Sequence, residues 1–216
     1  MRLPTVRFVV VSAACAALLA ACATTPRNPI SFFVTSKSGP DGGNFGGLAG
    51  ADQHCQTLAA AVGAGHRTWR AYLSTNAANG GTVVHARDRI GTGPWQNAKG
   101  VVVATSVADL HSPNNNVNKQ TAITETGEGV SGRGDTPNQH DILTGSTLEG
   151  TAAEATCNNW TLGVGGSGMV GHHDRTGIND TVAQKSFNAA HPSRGCSLEQ
   201  LKASGGAGKL YCFAAN

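Results

Sequence analysis

Residues 30–36 (I-S-F-F-V-T-S) concentrate β-branched and aromatic side chains and run into the glycine-rich stretch 39–47, which predicts a strand and then a turn. The period then changes. Ala51, Cys55, Leu58 and Val62 recur at i, i+4, i+7 and i+11, one face of a helix closed by Gly63 and Gly65, so Cys55 points inward. Trp69, Ala71 and Leu73 alternate with Arg70, Tyr72 and Ser74, the two-residue period of a half-buried strand. Residues 83–90 predict a short second helix and residues 100–104 (G-V-V-V-A) another strand. Residues 112–140 are rich in Asn, Gly, Thr and Pro with one apolar break at Ile123, the composition of loop. Two strands are expected over 142–146 and 155–161, around a turn at Gly150. Beyond Leu162 the pattern is irregular to about residue 208, broken by a short helix over 198–204. A last strand over 209–214 sets Tyr211 and Phe213 opposite Leu210 and Cys212. Neither an internal repeat nor a second domain is evident.

Composition sharpens this. The 216 residues hold 29 glycines, with 5% aromatic and 13% charged side chains, which suits a loop-rich domain with a core of small aliphatics. The formal charge of +3 includes Arg2 and Arg7, which fall in the leader described next; without them 14 Lys+Arg face 13 Asp+Glu. A near-neutral domain has no compositional affinity for nucleic acid, and none is expected as a partner.

Residues 1–21 join a basic start to an apolar run from Phe8 to Ala21, too short to span a bilayer, as in a signal peptide. The run ends in Leu19-Ala20-Ala21-Cys22, which resembles the bacterial lipobox. That resemblance implies an acyl anchor on Cys22 and, with Ala at position 23, sorting to the outer membrane. Residues 22–29 form a tether reaching at most about 30 Å, and residues 30–216 the domain it holds to the membrane.

Six cysteines are present. Cys15 leaves with the leader and Cys22 takes lipid, so Cys55, Cys157, Cys196 and Cys212 remain, with three possible pairings. In an exported chain without C-x-x-C spacing, two disulfides are expected rather than zinc or redox chemistry.

The segment Gly46-Gly47-Leu48-Ala49-Gly50-Ala51-Asp52-Gln53-His54-Cys55, followed by Thr68-Trp69-Arg70-Ala71-Tyr72-Leu73-Ser74, resembles the opening helix and strand of the endostatin domain of collagens. Leu143-Thr144-Gly145-Ser146, Thr156-Cys157-Asn158-Asn159-Trp160-Thr161 and Tyr211-Cys212-Phe213 continue the plan over nearly all of residues 30–216. The resemblance implies the C-type-lectin-like fold, an α+β architecture. Its parts are a twisted antiparallel sheet, two flanking helices, adjacent termini and a long irregular loop region. It also implies nested disulfides, Cys55–Cys212 and Cys157–Cys196, which chain entropy would credit with about 5 and about 4 kcal/mol taken singly. The chain is similar, too, to bacterial envelope proteins of this fold that are often called lectins.

Departures from the family narrow the function. The nearest counterparts of the calcium-dependent sugar motifs are Thr136-Pro137-Asn138 and His191-Pro192-Ser193-Arg194-Gly195-Cys196, which lack the carboxylates calcium needs. Residues 23–40 contain no histidine for the endostatin zinc site. The near-neutral charge argues against a heparin-binding face, and Arg67, Arg70, Arg87 and Arg89 are read as a solvated surface.

What remains is polar chemistry in the loop half: His140-Asp141, His172-His173-Asp174-Arg175 and His191 to Arg194, flanked by Asn158, Asn159 and Trp160. The expected function is a non-enzymatic, membrane-anchored module recognising a glycan or envelope polymer. Asp141, His172, Asp174, Arg175, His191 and Arg194 would line its site and Trp160 would offer a ring. One alternative is a metal-assisted envelope hydrolase using His140, Asp141, His173, Asp174 or His191. The other is a structural lipoprotein with a protein partner. No G-x-S-x-G or H-E-x-x-H motif supports an enzyme. No cofactor is expected; the histidines are read as bonding loop backbone, with His140 and His173 the residual metal candidates. Adjacent His172 and His173 face opposite sides of an extended chain, so one ion would not take both.

Overall fold

A computed structural model describes residues 29–216 together with Met1. The expected leader, the expected lipidation at Cys22 and all of the expected tether but Pro29 lie outside the described residues. No helix among the described residues is long and apolar enough to cross a membrane.

The architecture is α+β with a twisted sheet, and its centre is β8 (Gly206–Ala214), buried along all nine residues. β1 (Phe32–Val34) pairs antiparallel along one edge, Phe32 opposite Phe213. β2 (Trp69–Ala71) pairs antiparallel along the other, Ala71 opposite Cys212, and β5 (Asp141–Leu143) continues that edge in parallel, Leu143 opposite Leu210. β6 (Met169–His172) and β7 (His191–Pro192) then extend the sheet antiparallel. The sheet is therefore mixed, a correction to the wholly antiparallel expectation. β3 (Trp95–Gln96) and β4 (Val102–Ala104) form a separate pair.

The alternation on β8 divides two apolar clusters. Leu210, Cys212 and Ala214 pack with Phe33, Trp69, Trp160 and the inner face of α1 (Gly47–Ala61). Tyr211 and Phe213 pack with Phe32, Tyr72, Trp95, Ile142 and Phe187. Because a second layer covers that face, Tyr72 and Ser74 are fully buried rather than solvent-facing as the alternation at β2 suggested. That layer includes the one-turn helices α2 (Ala86–Arg89) and α3 (Val107–Leu110). Nor are the arginines a solvated face: Arg70 and Arg89 each donate to Asp52 Oδ2 at 2.7 Å, while Asp52 Oδ1 accepts from the Ala71 N–H at 2.9 Å. This network locks α1 onto β2.

Both disulfides are nested, Cys55–Cys212 joining α1 to β8 and Cys157–Cys196 closing the loop half, with Cα separations of 5.6 and 5.8 Å that suit the bond. The expected strand over 155–161 is instead a single turn, α4 (Cys157–Trp160), whose four residues have φ from 47° to 68°. A left-handed turn costs roughly 1–2 kcal/mol per ordinary residue, and two of the four are Asn, the type that tolerates it best. The others are fixed from outside, Cys157 by its disulfide and Trp160 by burial and a 2.8 Å bond from its indole N–H to Ser74 O. The stretch 162–208 also holds β6 and β7, which the irregular pattern concealed. The helix expected over 198–204 is present as α5 (Leu198–Ser204), with a capping box between Ser197 and Gln200.

One buried relay has a measurable consequence. The Asn188 amide donates to the Tyr72 hydroxyl at 3.0 Å, that hydroxyl faces His111 Nε2 at 2.7 Å, and His111 Nδ1 donates to Val107 O at 2.7 Å. Burial holds His111 below its ordinary value, against the raising effect of the Val107 carbonyl. The unfolded chain therefore takes up this proton first as pH falls, and the folded state loses stability below about pH 6.5, the unfolded imidazole value. Calorimetry of His111→Gln is expected to give a smaller fall in Tm between pH 7.5 and pH 5 than the parent; an equal fall would refute the assignment. His54, also lowered by burial, keeps its contribution in both proteins.

Candidate metal centre

Sheet register brings the site together. Asp141 on β5 lies opposite His172 on β6, and β7 sets His191 beside Val170 of β6. His140 precedes β5, with its ring stacked on His172 at 4.2 Å between centroids. The side chains meet at one atom, Asp141 Oδ1, which lies 3.2 Å from His140 Nε2, 3.3 Å from His172 Nε2 and 3.7 Å from His191 Nε2. His172 Nε2 and His191 Nε2 are 3.1 Å apart. His140, Asp141 and His172 are at most 2% exposed, while His191 is half-buried and opens to solvent.

The opposite ring nitrogens decide the protonation. His140 Nδ1 faces Asp174 Oδ1 at 3.2 Å, His172 Nδ1 faces Gln184 O at 2.7 Å, and His191 Nδ1 faces Pro192 O at 3.0 Å. Carboxylate and carbonyl oxygens only accept, so each Nδ1 is a donor, and a ring protonated there alone turns the lone pair of Nε2 inward. Proximity makes the Asp141 contacts look like ion pairs, yet neither carboxylate oxygen receives a hydrogen bond. In that tautomer the Nε2 lone pairs and a buried carboxylate face one another, an arrangement that costs several kcal/mol unless a cation joins it. Zinc bonds of about 2.0–2.1 Å in a tetrahedron space the ligand atoms about 3.3–3.4 Å apart; three separations here are 3.1, 3.2 and 3.3 Å, while His191 Nε2 stands farther, 3.7 Å from Asp141 Oδ1, and the described ligand atoms that all lie within 4.8 Å of one another are those of His140, Asp141 and His172. Imidazole and carboxylate donors suit zinc, cobalt, nickel or copper.

Outer partners hold this set. Desolvation raises the Asp174 carboxyl, but bonds from His140 and from the Arg133 and Thr176 N–H groups outweigh it and keep Asp174 below the usual carboxylate range. A carboxylate behind a histidine ligand fixes its tautomer and orientation. His172 is positioned by the segment 184–188, whose Ser186 O accepts from the His172 N–H at 2.8 Å. That segment can lie so close only because residue 171 is glycine: a Cβ there would sit 1.8 Å from Phe187 O. Gly171→Ala is expected to displace residues 184–188, weakening both stability and metal affinity; a variant with parental Tm and affinity would contradict this packing.

The other expected site residues part company. Trp160 is fully buried and presents no ring to a ligand, a correction that follows from its place in the core. Arg175 is a strut, donating to Val117 O at 2.8 Å and to Asn115 Oδ1, and lines a separate apolar cavity with Leu110 and Phe187. His173 points away, its Nε2 donating to Ser131 O at 3.1 Å and its pKa lowered by burial. Asp174 stands behind His140 rather than in the cleft. Arg194 does line the cleft, a space of about 410 Å³ over His140, His172 and His191. Arg133, Asn138 and Gln184 line it too, outside the expected site; Asn138 had a sequence signal only as part of Thr136-Pro137-Asn138, and nothing in the loop composition marks the other two.

No family model matches the chain, and no curated protein matches it.

Proposed function

We propose that this domain is a non-enzymatic, metal-dependent binding module of the bacterial envelope, with a C-type-lectin-like architecture. It would recognise a glycan or envelope polymer through one divalent transition-metal ion. The observation that carries the reading is the convergence of His140, His172 and His191 Nε2 on the unpartnered Asp141 carboxylate. Half-buried His191 leaves the ion a side open to the cleft, where a ligand oxygen can complete the coordination. An open position also suits hydrolysis. Binding is favoured because Arg133, Arg194, Asn138 and Gln184 line the cleft with hydrogen-bond donors suited to the oxygens of a ligand. The lipobox at Cys22, the leader before it and the two disulfides support an envelope location.

The test begins with chelator-stripped protein, disulfides intact, titrated with zinc. One ion per chain is expected, and at a free concentration of about 100 Kd a gain of about 2.7 kcal/mol, which is about 5–10 °C in Tm for a domain of this size. The zinc-loaded protein on a glycan and polysaccharide array should give hits that vanish in EDTA. Failure to take up zinc, cobalt or nickel would remove the reading, and hits unchanged by EDTA would make recognition independent of the ion.

A further inference from the structure

The cleft above the cluster is lined by donors that nothing among the described residues uses. Among the described residues, the guanidinium groups of Arg133 and Arg194 make neither a hydrogen bond nor an ion pair; only their backbone N–H groups are engaged, with Asp174 and Ser204. The same holds for two carboxamide NH₂ groups. Asn138 uses its Oδ1 for the His140 N–H, Gln184 its Oε1 for the Ile178 N–H, and neither Nδ2 nor Nε2 has an acceptor in the described chain. Four unspent donor groups and no carboxylate make this cleft a receptor for an anion.

Charge fixes which anion. A divalent ion on the cluster is offset by Asp141 and Asp174, so Arg133 and Arg194 leave the site two positive charges in excess. The Lys119–Asp135 and Lys185–Asp180 pairs, none of whose residues lines the cleft, are neutral in themselves. A carboxylate would cancel half of that excess; a phosphomonoester, at about −2, cancels all of it and offers oxygens to the ion and to both guanidiniums at once.

We propose that the cleft lined by Arg133, Arg194, Asn138 and Gln184 binds a phosphoryl group, one oxygen on the metal ion and the others on the two guanidiniums. This inference rests on the metal-centre reading above.

The test uses the full chain, disulfides intact and loaded with one zinc, titrated with methyl phosphate, inorganic phosphate and acetate, and mixed with vesicles containing phosphatidic acid. Methyl phosphate is expected to saturate at one per chain, at least about tenfold tighter than acetate. Arg133→Gln with Arg194→Gln should keep the zinc stoichiometry and weaken methyl phosphate by about 100-fold, as loss of two charge-assisted contacts implies. Preference for inorganic phosphate, for the soluble ester or for the vesicles identifies the source of the group, each supporting the assignment. Zinc uptake without phosphate binding, equal binding of acetate, or an unchanged affinity in the double variant overturns this inference and leaves the metal centre standing. Absence of zinc uptake overturns both.

Discussion

His172→Ala is expected to lower zinc affinity by two orders of magnitude or more, while His173→Gln, one residue along, changes it less than about threefold. The contrast follows from strand geometry. His172 Nε2 sits 3.3 Å from Asp141 Oδ1, whereas His173 faces the other side and bonds Ser131 O. Asp174→Asn should fall between, at about 10–100-fold, because it removes the carboxylate behind His140 rather than a ligand. Competition with a chromophoric chelator measures all three. Equal losses at His172 and His173 would mean that zinc binds elsewhere.

Trp160→Ala is expected to be the most damaging substitution in the core, at about 3–5 kcal/mol, or roughly 10 °C or more in Tm. The indole fills the cluster shared by α1, β2 and β8, and its N–H satisfies Ser74 O. Removing it also releases the left-handed turn at Asn158 and Asn159, which the Cys157 disulfide holds on its other side. Trp160→Phe keeps most of the buried area and loses the hydrogen bond, so a smaller loss is expected. Differential scanning calorimetry decides; an unchanged Tm with lost ligand binding would return Trp160 to the role of an exposed ring.

Much of the frame was legible because it rests on local periodicity. The apolar face of α1, the S-L-E-Q start of α5 and the alternation of Tyr211 and Phe213 against Leu210 and Cys212 are short-range patterns that survive folding. The mixed sheet was not, since the parallel pairing of Leu143 with Leu210 leaves no trace in either segment. β6 was hidden by Gly171, where close backbone approach replaces a side chain, and β7 by its two-residue length ending in Pro192. Asn158 and Asn159, inside a stretch of strand-like composition, are the one local signal of the left-handed backbone there.

The site was legible in its residue types and not in its geometry. Asp141, His172, His191 and Arg194 could be named from the chain, and the structure brings them to one cleft. That Trp160 and Arg175 belong to the frame depends on contacts with Ser74 and Val117, far away in sequence. The feature that distinguishes a metal set from histidines anchoring loops is the direction of each ring. One nitrogen of His172 and one of His191 do bond backbone, but the other pair faces Asp141. No spacing rule encodes that.

The most direct measurement is cobalt(II) substitution of the chelator-stripped protein at neutral pH, followed in the visible spectrum. One cobalt per chain with the strong absorption of a four- or five-coordinate nitrogen–oxygen site, lost in His172→Ala, is the predicted result. The faint spectrum of hydrated cobalt, together with an imidazolium nitrogen signal from His172 or His191 at the same pH, would show that a proton rather than a metal ion neutralises Asp141, and would contradict the account.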